Sequence, residues 1–381
     1  CKSCWNRLES PLRTRRPLLI PFDQIRQQVL AQIKPNDKEN QKIRSIIEEI
    51  TQQIQTWNRN HKNYSIVEIL PQGSTGIKQT HLKHAADIDL VVFLDPMKYK
   101  QHIYDKNNRI NRDKLADLFR NYCKSWMIPA LEENSHKNVI LSYAEHPYVS
   151  SRFKGYEIDV VFAFLLNKEF LFENGPITAV DRTYYHSQFV NNNLNAEQHD
   201  DVRLLKKLFK NQFSYGDKAP IGRGGFIGYA AELMVHQFGN MEAIFKNFHD
   251  LPNIAVDVYN RDEHQLRQRM RLQNDFLIVM DPTDKERNVA ASISSRSWIY
   301  CREVIKKFIE NPSADYFLER TIPLIDKESQ DANNHYVLAH FMQQTDDHYT
   351  KIRDKLYSMA DTISDIAANE LDGTPRFQNV N

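Results

Sequence analysis

Gly73-Ser74, twelve further residues, and then Asp87-Ile88-Asp89 running straight into Leu90-Val91-Val92-Phe93-Leu94: this stretch decides how the chain is read. The unbroken apolar run Ile88–Leu94 has the length and composition of a buried strand. Asp87 and Asp89 stand at its mouth. Residues i and i+2 of a strand share a face, so the two carboxylates lie side by side. Carboxylates held that close repel unless a cation sits between them. Mg²⁺ suits such a pair, because it takes one or two carboxylates and completes its shell with substrate phosphate oxygens. The preceding Pro71-Gln72-Gly73-Ser74 is a turn signal. Its backbone N–H groups and the Ser74 hydroxyl can face a triphosphate.

Working outward, the pattern alternates between helix and strand. Ile43, Ile46, Ile47, Ile50, Ile54 and Trp57 recur at helical spacing and predict an amphipathic helix over 39–59, with another over 22–34. A strand is expected over 65–70. Leu115, Leu118, Phe119, Tyr122 and Trp126 mark a helix, and three strand-like runs follow over 138–144, 148–153 and 156–164. The last run carries Glu157 and Asp159 on one face. A two-metal site needs a third carboxylate, and on spacing either acid supplies it. The block from 22 to about 170 therefore reads as α+β. Beyond about 180 the strand signals fade. Helices are expected over 202–209, 228–238, 241–248 and 349–370, with one more lined by Trp298, Cys301, Ile305, Phe308 and Ile309. A short strand over 276–280 leads into Asp281-Pro282.

Composition sets the outer limits. The 381 residues allow two or three domains. Fifty Lys and Arg against forty-nine Asp and Glu leave a net charge of +1, which argues against a wholly basic nucleic-acid coat protein. A local basic groove stays compatible with that sum, because the field in a cleft follows where charges sit. Six Lys or Arg against two Asp in 201–223 mark the place for one, to seat triphosphate and acceptor-stem phosphates. A solvated helix face explains the same residues. Apolar content of 41% rules out a largely disordered chain. The longest apolar runs, such as Ala163-Phe164-Leu165-Leu166, fall far short of the ~20 residues a membrane span needs, so no membrane partner is expected. Residues 1–16 lack an apolar leader, and the chain begins at Cys1, so residues before it are expected. Four cysteines point to a reducing, cytoplasmic setting. Cys1 and Cys4 form a lone pair where zinc wants about four ligands, so free thiols are the plainer reading.

Taken together, Gly73-Ser74, Asp87-Ile88-Asp89 and Asp159 resemble the signature of the polymerase-β-like nucleotidyltransferase superfamily. Further motifs resemble the archaeal, class I CCA-adding enzymes: Tyr143-Ala144-Glu145-His146-Pro147-Tyr148-Val149, Gly155-Tyr156-Glu157-Ile158-Asp159, Ala179-Val180-Asp181-Arg182-Thr183-Tyr184-Tyr185-His186, Val202-Arg203-Leu204-Leu205-Lys206, Gly225-Phe226-Ile227-Gly228-Tyr229 and Asp281-Pro282-Thr283-Asp284-Lys285-Glu286-Arg287-Asn288-Val289-Ala290. They run in order from about residue 25 to 320.

The resemblance implies a polymerase-β-like head with a mixed sheet over 22–178, a mainly helical nucleotide- and tRNA-binding domain over 179–310, and a short α+β C-terminal part over 311–381 that is expected to be incomplete. Residues 1–21 would be a flexible basic arm. It implies template-independent addition of C, C and A to the tRNA 3′ end from CTP and ATP, by in-line displacement at the α-phosphate. Asp87, Asp89 and Asp159 would hold two Mg²⁺ ions, with Asp159 nearest the attacking oxygen. Gly73 and Ser74 would meet the triphosphate. Thr183, His186, Lys206 and Tyr215 would hold the ribose and phosphates, and Arg287 would read the base. A homodimer is compatible with this reading. Two departures stand out: Asp87 replaces the family's usual Glu, and one extra residue separates Ser74 from Thr80. A signalling nucleotidyltransferase that makes oligoadenylate or cyclic oligonucleotides without tRNA would share Ser74, the Asp87/Asp89 pair and Asp159.

Overall fold

The computed structural model describes residues 21–318 apart from 144–145, 217–218, 220–223 and 270–271, together with scattered helical residues between 352 and 366. The chain divides into a unit Cys1–Glu319 and a unit Arg320–Asn381. The expected arm, the Cys1/Cys4 pair, Lys218, Arg223 and nearly all of the C-terminal part lie outside the described residues.

Two helices lead, α1 (Pro21–Ile33) and α2 (Asp37–His61). Asn36 caps α2: its side-chain oxygen accepts from the Glu39 N–H at 2.8 Å. The isoleucine stripe is buried as its spacing requires. Then come β1 (Ile66–Gln72), β2 (Ile88–Leu94), a short α3 (Lys100–Ile103), α4 (Arg112–Tyr122) and α5 (Ile128–Glu133), joined to α4 by a π-turn at Cys123–Met127. The strands β3 (Lys137–Tyr143), β4 (Pro147–Phe153) and β5 (Tyr156–Phe164) follow. The five strands form one sheet in the order β1-β2-β5-β4-β3. Only β2 and β5 run parallel, and their register sets Asp89 directly opposite Asp159. The α2 stripe, the inner face of the sheet and the Phe119–Trp126 segment make the first core.

The remaining elements are α6 (Lys168–Asn174), α7 (Thr183–Asn193), α8 (Ala196–Asn211), α9 (Gly228–Phe238), α10 (Met241–Asn247), β6 (Ala255–Val256), α11 (Glu263–Arg269), β7 (Ile278–Asp281), β8 (Asp284–Asn288) and α12 (Ser295–Glu310). The last three strands make a small sheet, β6-β7-β8. A second core gathers Leu205, Phe209, Phe226, Met234, Phe248, Trp298 and Ile305. Phe22, Ile25, Val29 and Ile33 of α1 belong to it too. The boundary expected at residue 22 groups α1 with the catalytic head. Its apolar face instead packs with the helices that come after residue 190, and Lys34 pairs with Asp200 at 2.7 Å on α8.

Cys123 and Cys301 are buried free thiols, and burial pushes both up to about 12. No helix among the described residues is long and apolar enough to cross a membrane.

Candidate active site

The parallel pairing of β2 with β5 creates the centre of the site. Asp89 and Asp159 face each other across one ladder rung, both half-buried, and Asp87 stands exposed two residues earlier. Burial, then the Asp159 and Asp87 carboxylates, push Asp89 up to about 7. Lys78 and Lys206 pull it the other way. Glu157, the other acid that spacing allows, is turned outward and pairs with Arg152 at 2.7 Å. Thr75 accepts no role at the carboxylates themselves: its hydroxyl donates to the Asp87 carbonyl at 2.9 Å and pins the strand entry.

The turn closes tightly over this centre. Gly73 has φ +61°, and a Cβ at that position would collide with Asp89 Oδ2. Glycine is needed here twice over, for the left-handed backbone and for the close approach. Ser74 follows on the same turn, and its carbonyl faces His81 Nδ1 at 3.3 Å. On the other side of β1, Ser187 of α7 donates to Gln72 Oε1 at 2.7 Å and holds the strand end in place.

Cations from α8 grip the loop that leads from the turn to Asp87. Arg203 donates to the carbonyls of Gln79 and of His81 (3.2 Å), and pairs with Asp200 at 2.7 Å. Lys206 donates to the Thr80 carbonyl at 2.9 Å. Thr80 and Lys78 in turn donate to the buried Glu232 of α9, at 2.7 and 2.8 Å. Burial pushes the Lys206 ammonium down to about 7, against the pull of Glu232. Tyr215 converges on the same place, because its Oη and Lys206 Nζ lie 3.0 and 3.8 Å from where a Cβ on Gly228 would stand. Lys210 Nζ sits 5.1 Å above the Tyr215 ring.

A basic face over 201–223 was one expectation for this segment. Arg203 and Lys206 do not form one: both are buried and spend hydrogen bonds on loop carbonyls. Lys210 is exposed. Charge counting along a segment carries no direction, and α8 is apolar on so many sides (Val202, Leu204, Leu205, Leu208, Phe209) that most of its positions face protein.

A second cluster forms where α7 meets the β7–β8 hairpin. His186 Nε2 bonds Asp281 Oδ2 at 2.8 Å, and Arg287 donates to the same oxygen at 3.0 Å. Tyr229 and Thr283 donate to Oδ1 at 3.2 and 2.8 Å. The His186 ring stacks on Tyr229, centroids 4.2 Å apart, and Lys78 Nζ lies 5.5 Å from the centroid of the same Tyr229 ring. Burial lowers His186 from its ordinary value. Burial would raise Asp281, but the hydrogen bonds from His186 and Thr283 more than offset it, and the carboxyl is held well below the usual range. Thr183, half-buried, opens α7 one turn before His186.

The sequence-expected residues thus fall into two adjoining groups. Gly73, Ser74, Asp87, Asp89, Asp159, Lys206 and Tyr215 surround the carboxylate centre. His186 and Arg287 meet at Asp281. Asp281 and Glu232 carry a sequence signal of their own, because each is an acid set against an apolar run, which is rare without a partner.

Residues 50–186 match the family model described as nucleotidyltransferase domain, and residues 200–318 match that of the tRNA nucleotidyltransferase second domain. The CCA-adding enzyme of Methanocaldococcus jannaschii is 29% identical over 308 residues, 79% of this chain and 62% of that protein. The CCA-adding enzyme of Thermoplasma volcanium is 34% identical over 295 residues, 77% of this chain and 58% of that protein. The chain spans about three-fifths of the length of the curated relatives it matches. Among solved structures, Cid1 poly(U) polymerase bound to MgATP superposes with a TM-score of 0.57 at 14% identity, covering 78% of this chain and 99% of that one. E. coli CdnC with ATP superposes at 0.52 and 14% identity, covering 77% and 94%. At these identities the likeness is one of fold.

Proposed function

We propose that this chain, a relative of the CCA-adding enzymes with a nucleotidyltransferase domain followed by the second domain of the tRNA nucleotidyltransferases, adds C, C and A to the 3′ end of tRNA from CTP and ATP. The observation that carries the reading is the pair Asp89 and Asp159, set face to face by the β2/β5 register beneath the Gly73 turn. Two carboxylates on one rung of an apolar strand pair repel each other, and a bound cation relieves that repulsion.

The donor set fits Mg²⁺. The donors are all carboxylate oxygens, and Asp89 is pushed up to about 7 by burial and then by the Asp159 and Asp87 carboxylates, whose charge a divalent ion would offset. No three His, Cys, Asp or Glu side chains among the described residues close into a ready-made metal cage. Asp87, Asp89 and Asp159 would hold two Mg²⁺ ions. Bound there, they would supply Lewis acidity for the tRNA 3′-hydroxyl and charge neutralisation for the departing pyrophosphate.

The chain's own residues do the rest by placement. Gly73 brings the turn's N–H groups and the Ser74 hydroxyl down to the triphosphate. Lys206, bonded to the Thr80 carbonyl, sets the loop before Asp87 and brings its charge toward the phosphates. Tyr215 and Thr183 donate hydrogen bonds to the nucleotide. His186 faces the ribose, and Arg287 presents donors to acceptors on cytosine and adenine. Asp87 in place of the family's Glu shortens one ligand arm and leaves its chemistry unchanged. The likeness to CdnC is of fold alone, so the tRNA-independent reading gains no residue from it. A cytoplasmic site of action goes with this substrate.

The test is incubation with Mg²⁺ and a tRNA lacking its 3′ CCA, with CTP and ATP singly and together. The expected result is C incorporation from CTP and a terminal A only when both are present. Absence of any incorporation by correctly folded protein would overturn the reading.

A further inference from the structure

Asp281 sits at the end of β7 with no solvent exposure. Five hydrogen bonds converge on its carboxylate: His186 and Arg287 on Oδ2, and Tyr229 with the N–H and hydroxyl of Thr283 on Oδ1. A carboxylate offers about four acceptor sites, so these donors fill it. It has nothing left for a substrate. Whatever it does for nucleotide selection, it does through the groups it holds.

We propose that Asp281 is the positioning residue for nucleotide selection, fixing Arg287 for the base and His186 for the ribose. The inference rests on the reading above that those two side chains meet the nucleotide. Arg287 carries a planar fork of donors on a flexible stem. Pinning NH1 to Asp281 fixes the plane, so its remaining N–H groups point one way and match one pattern of base acceptors. His186 is constrained differently. A carboxylate facing Nε2 requires that nitrogen to carry the proton. Nε2 is thereby committed to Asp281. That leaves Nδ1 as the ring atom to meet the ribose 2′-hydroxyl, the one group that a 2′-deoxyribose lacks. The stack on Tyr229, itself tied to Asp281, holds the ring plane. One carboxylate thereby serves two selections, of base and of sugar.

The experiment measures kcat/KM ratios on a tRNA lacking CCA: CTP over UTP for the base and CTP over dCTP for the sugar. Asp281→Asn is expected to lower each ratio roughly tenfold, because hydrogen-bonding sites reject mismatched analogues only while their geometry holds. Arg287→Ala should lower the base ratio alone. Adding Asp281→Asn to Arg287→Ala should leave the base ratio where it was and still lower the sugar ratio. Asp281→Glu keeps the charge and displaces the carboxylate, so it serves where the Asn variant does not fold; it should also lower both ratios. A variant that folds, turns over more slowly and keeps both ratios would reduce Asp281 to a structural role and overturn the proposal. So would full additivity with Arg287→Ala. If the wild-type protein extends no tRNA, the functional reading falls by itself. The inference is then decided by equilibrium dialysis of CTP, UTP and dCTP: the affinity ratios must fall in the Asp281 variants, and unchanged ratios overturn it.

Discussion

Gly73 and Asp89 illustrate how the site is built from single residues. The sequence identifies Gly73 as part of a turn, from Pro71-Gln72-Gly73-Ser74 alone. Its second reason, the Asp89 carboxylate lying where a Cβ would be, exists only once β1 and β2 pair. Gly73→Ala should therefore cost more than a left-handed alanine, ~1–2 kcal/mol, and should also displace Asp89. A shift of order 1 Å at a catalytic group costs about 10²-fold, so tRNA extension should fall by about that factor with a modest drop in Tm. Near-wild-type extension would show that the close approach does not matter. Asp89 makes a second prediction. Its carboxyl titrates at about 7 in the folded protein against an ordinary 3.8. Between those values the folded chain keeps a proton that the unfolded chain has released, so this group's contribution to stability falls as pH rises from about 4 to about 7. Asp89→Asn has no such dependence. In EDTA, its Tm advantage over wild type should be larger at pH 8 than at pH 5 by at least ~2 °C; an equal difference at both pH values would contradict the assignment. Asp281 was not legible as a hub, because its partners His186 and Tyr229 lie 95 and 52 positions away and no local pattern joins them.

At the level of elements, periodicity located most of what positions the site. The isoleucine stripe of α2 and the apolar runs of β2 and β5 stand where their patterns put them, because burial of one face is what those patterns encode. α7, α11 and β8 were not anticipated. β8 reads Asp284-Lys285-Glu286-Arg287-Asn288, with no alternation at all, and is a strand only because β7 supplies its ladder. α8 stands where a helix is expected, but two of its four cations, Arg203 and Lys206, are buried, while Lys210 stays exposed. Arg203 is the clearest case, holding two loop carbonyls and Asp200. Arg203→Met would leave the Asp200 carboxylate with one partner fewer and the loop carbonyls unsatisfied. A loss of ~3–5 kcal/mol is expected, measured by urea unfolding, along with a drop in activity from a mispositioned Thr80–Asp87 loop. A change below ~1 kcal/mol would match the solvated-face reading instead.

At the level of the molecule, the unit Cys1–Glu319 contains two large cores, and α1 belongs to the second although it precedes the first in the chain. Chain order suggested the other assignment, because an amphipathic stripe says which face is buried but not against what. Ile33→Ala should destabilise by ~2–5 kcal/mol, and hydrogen exchange should show amides of α8 and α12 losing more protection than those of β2 and β5. The reverse order would return α1 to the first core. The near-zero net charge, +1, is compatible with nucleic-acid work because the cations that matter are few and placed at a cleft of carboxylates. The account as a whole turns on the Asp89–Asp159 pair serving nucleotidyl transfer to tRNA. The most direct test is incorporation of labelled CMP into a tRNA lacking CCA by wild type and by Asp159→Asn, both confirmed as folded by circular dichroism. The account predicts robust incorporation by wild type and a loss of at least about 10³-fold in the variant; an Asp159→Asn protein that extends the tRNA at a rate close to wild type would contradict it.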